Sequence, residues 1–282
     1  MEFFENLILD EERAFYGAKD IRVFSCNFDG PADGESALKE CDNILVENSY
    51  FNLRYPMWHD RGIKVLSSSF TDKCRAALWY SSNVDIKDSA LHGTKALREC
   101  DIVNIGASDI ISDEFGWICR DVKMNDCIAE GEYFMLNSRN ICVNNLKFKG
   151  KYSFQYIENT LIENSVLNTK DAFWHAKNVV VRNSIVNGEY LGWYCENVTF
   201  ENCVISGTQP LCYCKNLKLI NCEMHECDLA FEKSEVQATV TTSVISIKNP
   251  LSGSISVPFA GEIIRDDARS ECEIIITGDS NT

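Results

Sequence analysis

Between Asn140 and Lys233 the apolar and polar positions repeat as one phrase: an Asn, apolar residues one and three places on, then a second Asn at the fifth place. The phrase opens at Asn140, Asn159, Asn178, Asn197 and Asn216, a constant step of 19. Apolar residues two apart predict a strand with one buried face. Recurrence at a fixed step predicts stacked coils. A further apolar residue at the eighth place (Phe148, Leu167, Val186, Ile205, Met224) predicts a second strand, entered through the fifth-place Asn (Asn145, Asn164, Asn183, Asn202, Asn221). Asn tolerates left-handed backbone and bonds locally, so it can turn the chain while stacking its amide on the Asn above as an asparagine ladder. Gly150, Gly188 and Gly207 mark another bend near the tenth place, where glycine adopts dihedrals that other residues resist. The pieces Phe173-Trp174-His175-Ala176 and Leu191-Gly192-Trp193-Tyr194 then predict a third strand.

The frame extends outward. Backward it reaches Asp121, Ile102 and Asn83, then Gly62, Asn43 and Asp20 by steps of 21, 19 and 23; forward it predicts Val236/Ala238, Ile255/Val257 and Ile274/Ile276 as successive buried pairs. The expected fold is all-β, a right-handed parallel β-helix (solenoid) of about 14 coils with a 19-residue period over residues 20–282. Residues 1–19, with Phe3, Phe4, Leu7, Ile8, Ala14 and Phe15 at partly helical spacing, are expected to form an N-terminal cap. A hexapeptide left-handed helix does not fit a step of 19, and the Leu-x-x-Leu-x-Leu frame of leucine-rich repeats is absent.

Composition narrows the function. A repeat that never breaks over 282 residues argues for one elongated unit rather than two domains. The formal charge of −15 argues against a nucleic-acid or anionic-membrane partner. No apolar run approaches the ~18 residues of a membrane span, and an N-terminus with Glu2, Glu5 and no basic segment is not a secretory signal. A cytoplasmic protein is expected. Nine of the 14 cysteines fall in two files of the repeat, Cys26, Cys127, Cys203 and Cys222 in one and Cys41, Cys100, Cys119, Cys195 and Cys214 in the other, and serine fills the same places in other coils. Interchange with serine points to small reduced thiols rather than disulfides. Cys212-Tyr213-Cys214 lacks the spacing and the second ligand pair of a zinc site, so neither metal nor cofactor is expected.

The last third of each coil carries the chemistry. Aligned on the frame, it reads Gly-Glu-Ser-Ala-Leu-Lys-Glu from Gly34, Gly-Lys-Tyr-Ser-Phe-Gln-Tyr from Gly150, Thr-Lys-Asp-Ala-Phe-Trp-His from Thr169, Gly-Glu-Tyr-Leu-Gly-Trp-Tyr from Gly188 and Gly-Thr-Gln-Pro-Leu-Cys-Tyr-Cys from Gly207. All five tryptophans fall in this one column. These phrases resemble an uncharacterised, mainly bacterial domain-of-unknown-function family of pectin-lyase-like single-chain right-handed parallel β-helix proteins. The resemblance covers nearly the whole chain and implies the fold; it brings no established activity and no catalytic residues.

Two clusters emerge from the column. Lys39, Glu40, Trp58, His59, Trp79, Tyr80, Arg98 and Glu99 lie on four consecutive coils, ~5 Å apart. Gln155, Tyr156, Asp171, Trp174, His175, Trp193, Tyr194 and Tyr213 form the second, with Lys151 and Lys170 nearby. His59 and His175 stand six coils apart, roughly 29 Å, too far to share a site. A His beside a carboxylate can move a proton, and aromatic rings can meet a sugar. His59, His175, Asp171 and Glu189 are therefore the candidate catalytic groups, Asp171 with Glu189 being the one carboxylate pair on neighbouring coils. The superfamily resemblance implies carbohydrate binding or processing, with a saccharide as partner. Against it stand two other readings: the column is packing, its Lys-Glu and Arg-Glu pairs a surface ladder, and the chain is a non-catalytic scaffold or protein-interaction module. A homodimer through a helix end or face is a further expectation, with edge pairing along 273–277.

Overall fold

A computed structural model describes residues 1–278; the last four residues of the predicted solenoid, 279–282, lie outside the described residues. The described chain holds strands and no helix, wound as a parallel β-solenoid of about 14 turns. It divides into two compact units, Met1–Cys142 and Val143–Thr282.

In the first unit the strand Lys19–Phe24 is followed in parallel by Asp42–Glu47, Arg61–Leu66, Ser82–Lys87 and Asp101–Gly106. Ile21 faces Ile44, Ile44 faces Ile63, Ile63 faces Val84 and Val84 faces Val103, which are steps of 23, 19, 21 and 19. The two longer steps fall where the sequence frame places its insertions. Each of these inward side chains is at most 2% exposed. The eighth-place residues make a second file inside the coil: Phe28 stacks on Phe51 at 4.4 Å and Phe51 on Phe70 at 4.6 Å, nearly parallel. Burying each ring contributes about 1.5–3 kcal/mol, and the parallel stack follows from identical residues superposed at strand spacing.

Met1–Lys19 departs from its expected helical spacing. It forms two strands, Glu2–Glu5 and Ile8–Leu9, which pair in parallel with the strands of the next turn. Phe4 sits over Val23 and Leu9 over Phe28, so the apolar residues obey the two-residue period of the solenoid rather than that of a helix.

In the second unit Glu158–Glu163, Lys177–Arg182, Glu196–Glu201 and the long strand Lys215–His225 stack in parallel at steps of 19. Asn197 donates its side-chain amide to Asn178 and accepts from Asn216; Asn221 donates to Asn202 and Asn202 to Asn183. All six have positive φ near 50°. The step then shortens. Val236 faces Gly253 and Ala238 faces Ile255, a step of 17 rather than the 19 of the sequence frame. A slip of two keeps every side chain on its own face, so the alternation of apolar and polar residues could not reveal it.

The files of small residues hold backbone amides as well as space. Ser49 Oγ accepts the Cys26 N–H, Ser68 Oγ the Ser49 N–H and Ser89 Oγ the Ser68 N–H, each near 3 Å. This explains the interchange of Ser and Cys: the bend leaves an N–H that needs a small acceptor from the next turn. Among the described residues every cysteine is free, and all but Cys142 are buried. Burial pushes the Cys74 and Cys212 thiols up to about 12.

Candidate functional site

In the first unit the third segment of the coil is a strand: Met57–Trp58, Leu78–Trp79 and Leu97–Arg98 pair side by side. Met57, Leu78 and Leu97 point inward and are fully buried, so Trp58, Trp79 and Arg98 face out and are half-buried. Their own neighbours fill their faces. Lys39 Nζ lies 6.0 Å from the Trp58 ring centre, Trp58 meets Trp79 edge-on at 5.1 Å, and the Arg98 guanidinium sits 4.9 Å from Trp79 and 5.0 Å from Trp117. Arg98 is steadied by Glu99 and Glu114, and Glu99 also accepts the Trp79 indole N–H. Trp58 donates to the Ala76 carbonyl. Glu40 takes the Tyr16 hydroxyl at 2.7 Å, which raises the Tyr16 pKa. His59 and Tyr80, one residue further on and at positive φ, are exposed and stack on each other at 5.0 Å.

In the second unit the expected third strand is replaced by turns. Asp171, Phe173 and His175, like Tyr190, Gly192 and Tyr194, have positive φ at every second residue. Amides therefore point alternately to the turn after and the turn before: His175 N donates to Trp193 O, while Phe173 N donates to Ser153 O. This still hydrogen-bonds turn to turn, but it sets Phe173 inward and Trp174 and His175 outward. Side-chain pattern alone does not distinguish it from a strand.

The outcome is a file of stacked rings, Tyr156 and Tyr194 exposed and His175 and Tyr213 half-buried. Tyr156 stacks on His175 at 4.8 Å, His175 on Tyr194 at 5.1 Å and Tyr194 on Tyr213 at 4.8 Å, with interplanar angles of 13°, 8° and 13°. Tyr156 and Tyr194 remain 50% and 47% exposed. Because the ring faces cover one another, what the file can offer is ring edges, which carry phenol hydroxyls and imidazole nitrogens at nearly constant spacing; at Tyr213 burial and the neighbouring Glu232 raise the phenol pKa. Alongside runs a second stack, Trp174 on Trp193 at 5.3 Å and 4°, whose indole N–H groups donate to the Tyr190 and Gln209 carbonyls. Those two anchors have no signature in sequence, since any residue supplies a carbonyl.

The candidate carboxylates lie beside the stacks. Glu189 pairs with Lys170 at 2.8 Å. Asp171 is 9% exposed, and burial, opposed by Lys170 and reinforced by Glu189, raises its pKa. Gln155 donates to the Asp171 carbonyl. Among the described residues no group of three or more His, Cys, Asp or Glu side chains is placed to hold a metal ion.

The chain belongs to the DUF3737 family of proteins of unknown function, whose model matches residues 2–277. Comparison with curated proteins gives no match. The chain is similar to the crystal structure of PfbA, a surface adhesin of Streptococcus pneumoniae, at 11% identity and a TM-score of 0.41, over 87% of this chain and 70% of that one.

Proposed function

We propose, with membership of a family of unknown function as the premise, that the chain is a non-catalytic carbohydrate-binding module. Its recognition surface is the file Tyr156, His175, Tyr194 and Tyr213, bordered by Trp174 and Trp193. The single observation that carries this reading is the regular stack of polar rings, exposed at Tyr156 and Tyr194. A polymer of hydroxylated units laid along it can hydrogen-bond the same kind of group at each step. Recognition then rests on edge hydrogen bonds rather than on sugar stacked against an aromatic face, because the faces are already occupied.

The surrounding charges support an uncharged saccharide. Lys170 is paired with Glu189 at 2.8 Å and Lys177 with Glu196 at 3.8 Å, so these two cations beside the file are already balanced, and Lys233 lies over the Tyr213 ring, 5.9 Å from its centre. The Lys170 pairing also favours binding over hydrolysis, since a hydrolase needs both carboxylates available at its scissile bond.

A glycan array followed by titration of any hit tests the proposal. Wild type retains an uncharged polysaccharide, whereas Tyr194→Ala and His175→Ala lose it with unchanged circular dichroism. Retention of no saccharide, or equal retention by both variants, overturns it.

A further inference from the structure

On the outward face of the second unit, three neighbouring strands, Lys215–His225, Glu235–Val240 and Ser252–Val257, enclose a cavity of about 280 Å³. Its lining side chains are Lys218, Ile220, Gln237, Thr239, Ser254 and Ser256. Two features of the chain open it. The register slips after Leu219, so that Ile220 and Asn221 together stand opposite Thr239, and a bulge of this kind bends its strand. The outward side chains then shorten: Val180 and Arg182 on one turn, and Lys218 and Ile220 on a later one, give way to Ser254 and Ser256. The polar groups around the cavity are largely without partners. Among the described residues Lys218 makes no ion pair, and Glu201 on the turn before is held by Arg182 at 2.9 Å. The Thr239 and Ser256 hydroxyls likewise make no side-chain hydrogen bond among the described residues. Ser254 Oγ accepts Gln237 Nε2 at 2.7 Å and keeps its own O–H to donate.

We propose that this cavity binds a compact polyhydroxylated monocarboxylate, with its carboxylate against Lys218 and its hydroxyls against Thr239, Ser254 and Ser256. Small-molecule sites begin at about 300 Å³, so the space suits one ligand of about six carbons rather than a polymer. Ile220 supplies an apolar wall for the carbon chain. The charge belongs at one end only. Glu273 stands beyond Ser254 as its partner on the next strand, and it repels a second negative charge there. A phosphate ester, which carries nearly two charges, is therefore the poorer ligand. The cavity lies over the first strand of the coil and the ring file over its third segment, so the two readings stand or fall separately.

Calorimetric titration of the whole chain with three matched probes is the test: gluconate, sorbitol, which keeps the hydroxyls without the charge, and hexanoate, which keeps the charge without the hydroxyls. Wild type binds gluconate about tenfold tighter than either of the others, and more weakly as salt is raised. Lys218→Met weakens gluconate at least fivefold, and Ser256→Leu, which fills the cavity from its floor, abolishes binding, both with unchanged circular dichroism. Tyr194→Ala binds gluconate as wild type does. Absence of gluconate binding, equal binding of sorbitol or of hexanoate, undiminished binding by Lys218→Met or Ser256→Leu, or loss in Tyr194→Ala each overturns the proposal.

Discussion

Asp60 Oδ1 accepts the Cys41 N–H at 2.7 Å, in a seat that serine or cysteine fills on other turns. Ser138 does the same for Cys119 and Ser234 for Cys214. Asp60 is fully buried, its Oδ2 finds no partner, and its own N–H goes to Ser81 Oγ. Burial, with Glu40 adding to it against the Cys41 and Glu40 amides, pushes the carboxyl up to about 8.

A raised acid favours the folded state only while it stays protonated. Stability is full below the unfolded value near 4 and is lost as pH rises toward 8. Wild type should therefore melt lower at pH 8 than at pH 5. Asp60→Ser keeps the acceptor and removes the charge, so it should gain on the order of 3–5 kcal/mol at pH 8 and little at pH 5. Thermal denaturation at the two pH values checks this; a variant with the wild-type slope contradicts it.

Arg98 between Trp79 and Trp117 predicts a cost that charge alone does not. Arg98→Ala should lose about 1–2 kcal/mol in urea denaturation. Arg98→Lys should recover part of it, since a lysine keeps the charge but not the plane that fits between two rings.

Backbone conformation predicts a graded pair of glycine effects. A Cβ at Gly188 would stand 1.5 Å from the Thr169 carbonyl oxygen, whereas at Gly17 it would meet nothing within 4 Å. Gly188→Ala should cost about 3 kcal/mol or more, and Gly17→Ala about 1 kcal/mol, from its positive φ alone. In the asparagine file Asn197→Ala should be worse than Asn197→Gly by about 1 kcal/mol, because both lose the amide bonds but only alanine resists a φ of 55°.

These residues also show what the sequence could and could not convey. Alternation and step placed Ile21, Ile44, Ile63, Val84 and Val103 in one buried file, insertions included, because apolar parity and repeat length are written in side chains. The step of 17 at Gly253 preserved parity and left no trace. The turns that present His175 and Tyr194 depend on alternating φ, which Phe173 and Tyr190 adopt without any residue-type signal. Asp60 lay in the cysteine and serine file at the proper step, so its seat was readable. Its unsatisfied oxygen was not, because that depends on burial by neighbouring turns. The cluster of aromatic residues was legible, but not whether rings would meet solvent by face or by edge.

Thiol reactivity follows from burial. In the native state Cys142, the exposed cysteine, should react alone with a maleimide, and all 14 should react once the protein is denatured. Mass spectrometry counts the adducts; two or more fast-reacting thiols in the native protein would contradict the buried files.

Calorimetric titration with uncharged oligosaccharides of increasing length tests the ring file most directly. The account predicts that affinity climbs with each added unit until the ligand spans Tyr156 to Tyr213 and then levels off, and that Tyr194→Ala, which breaks the row in its middle, flattens the climb. Affinity independent of length, or the same climb in Tyr194→Ala, would contradict it.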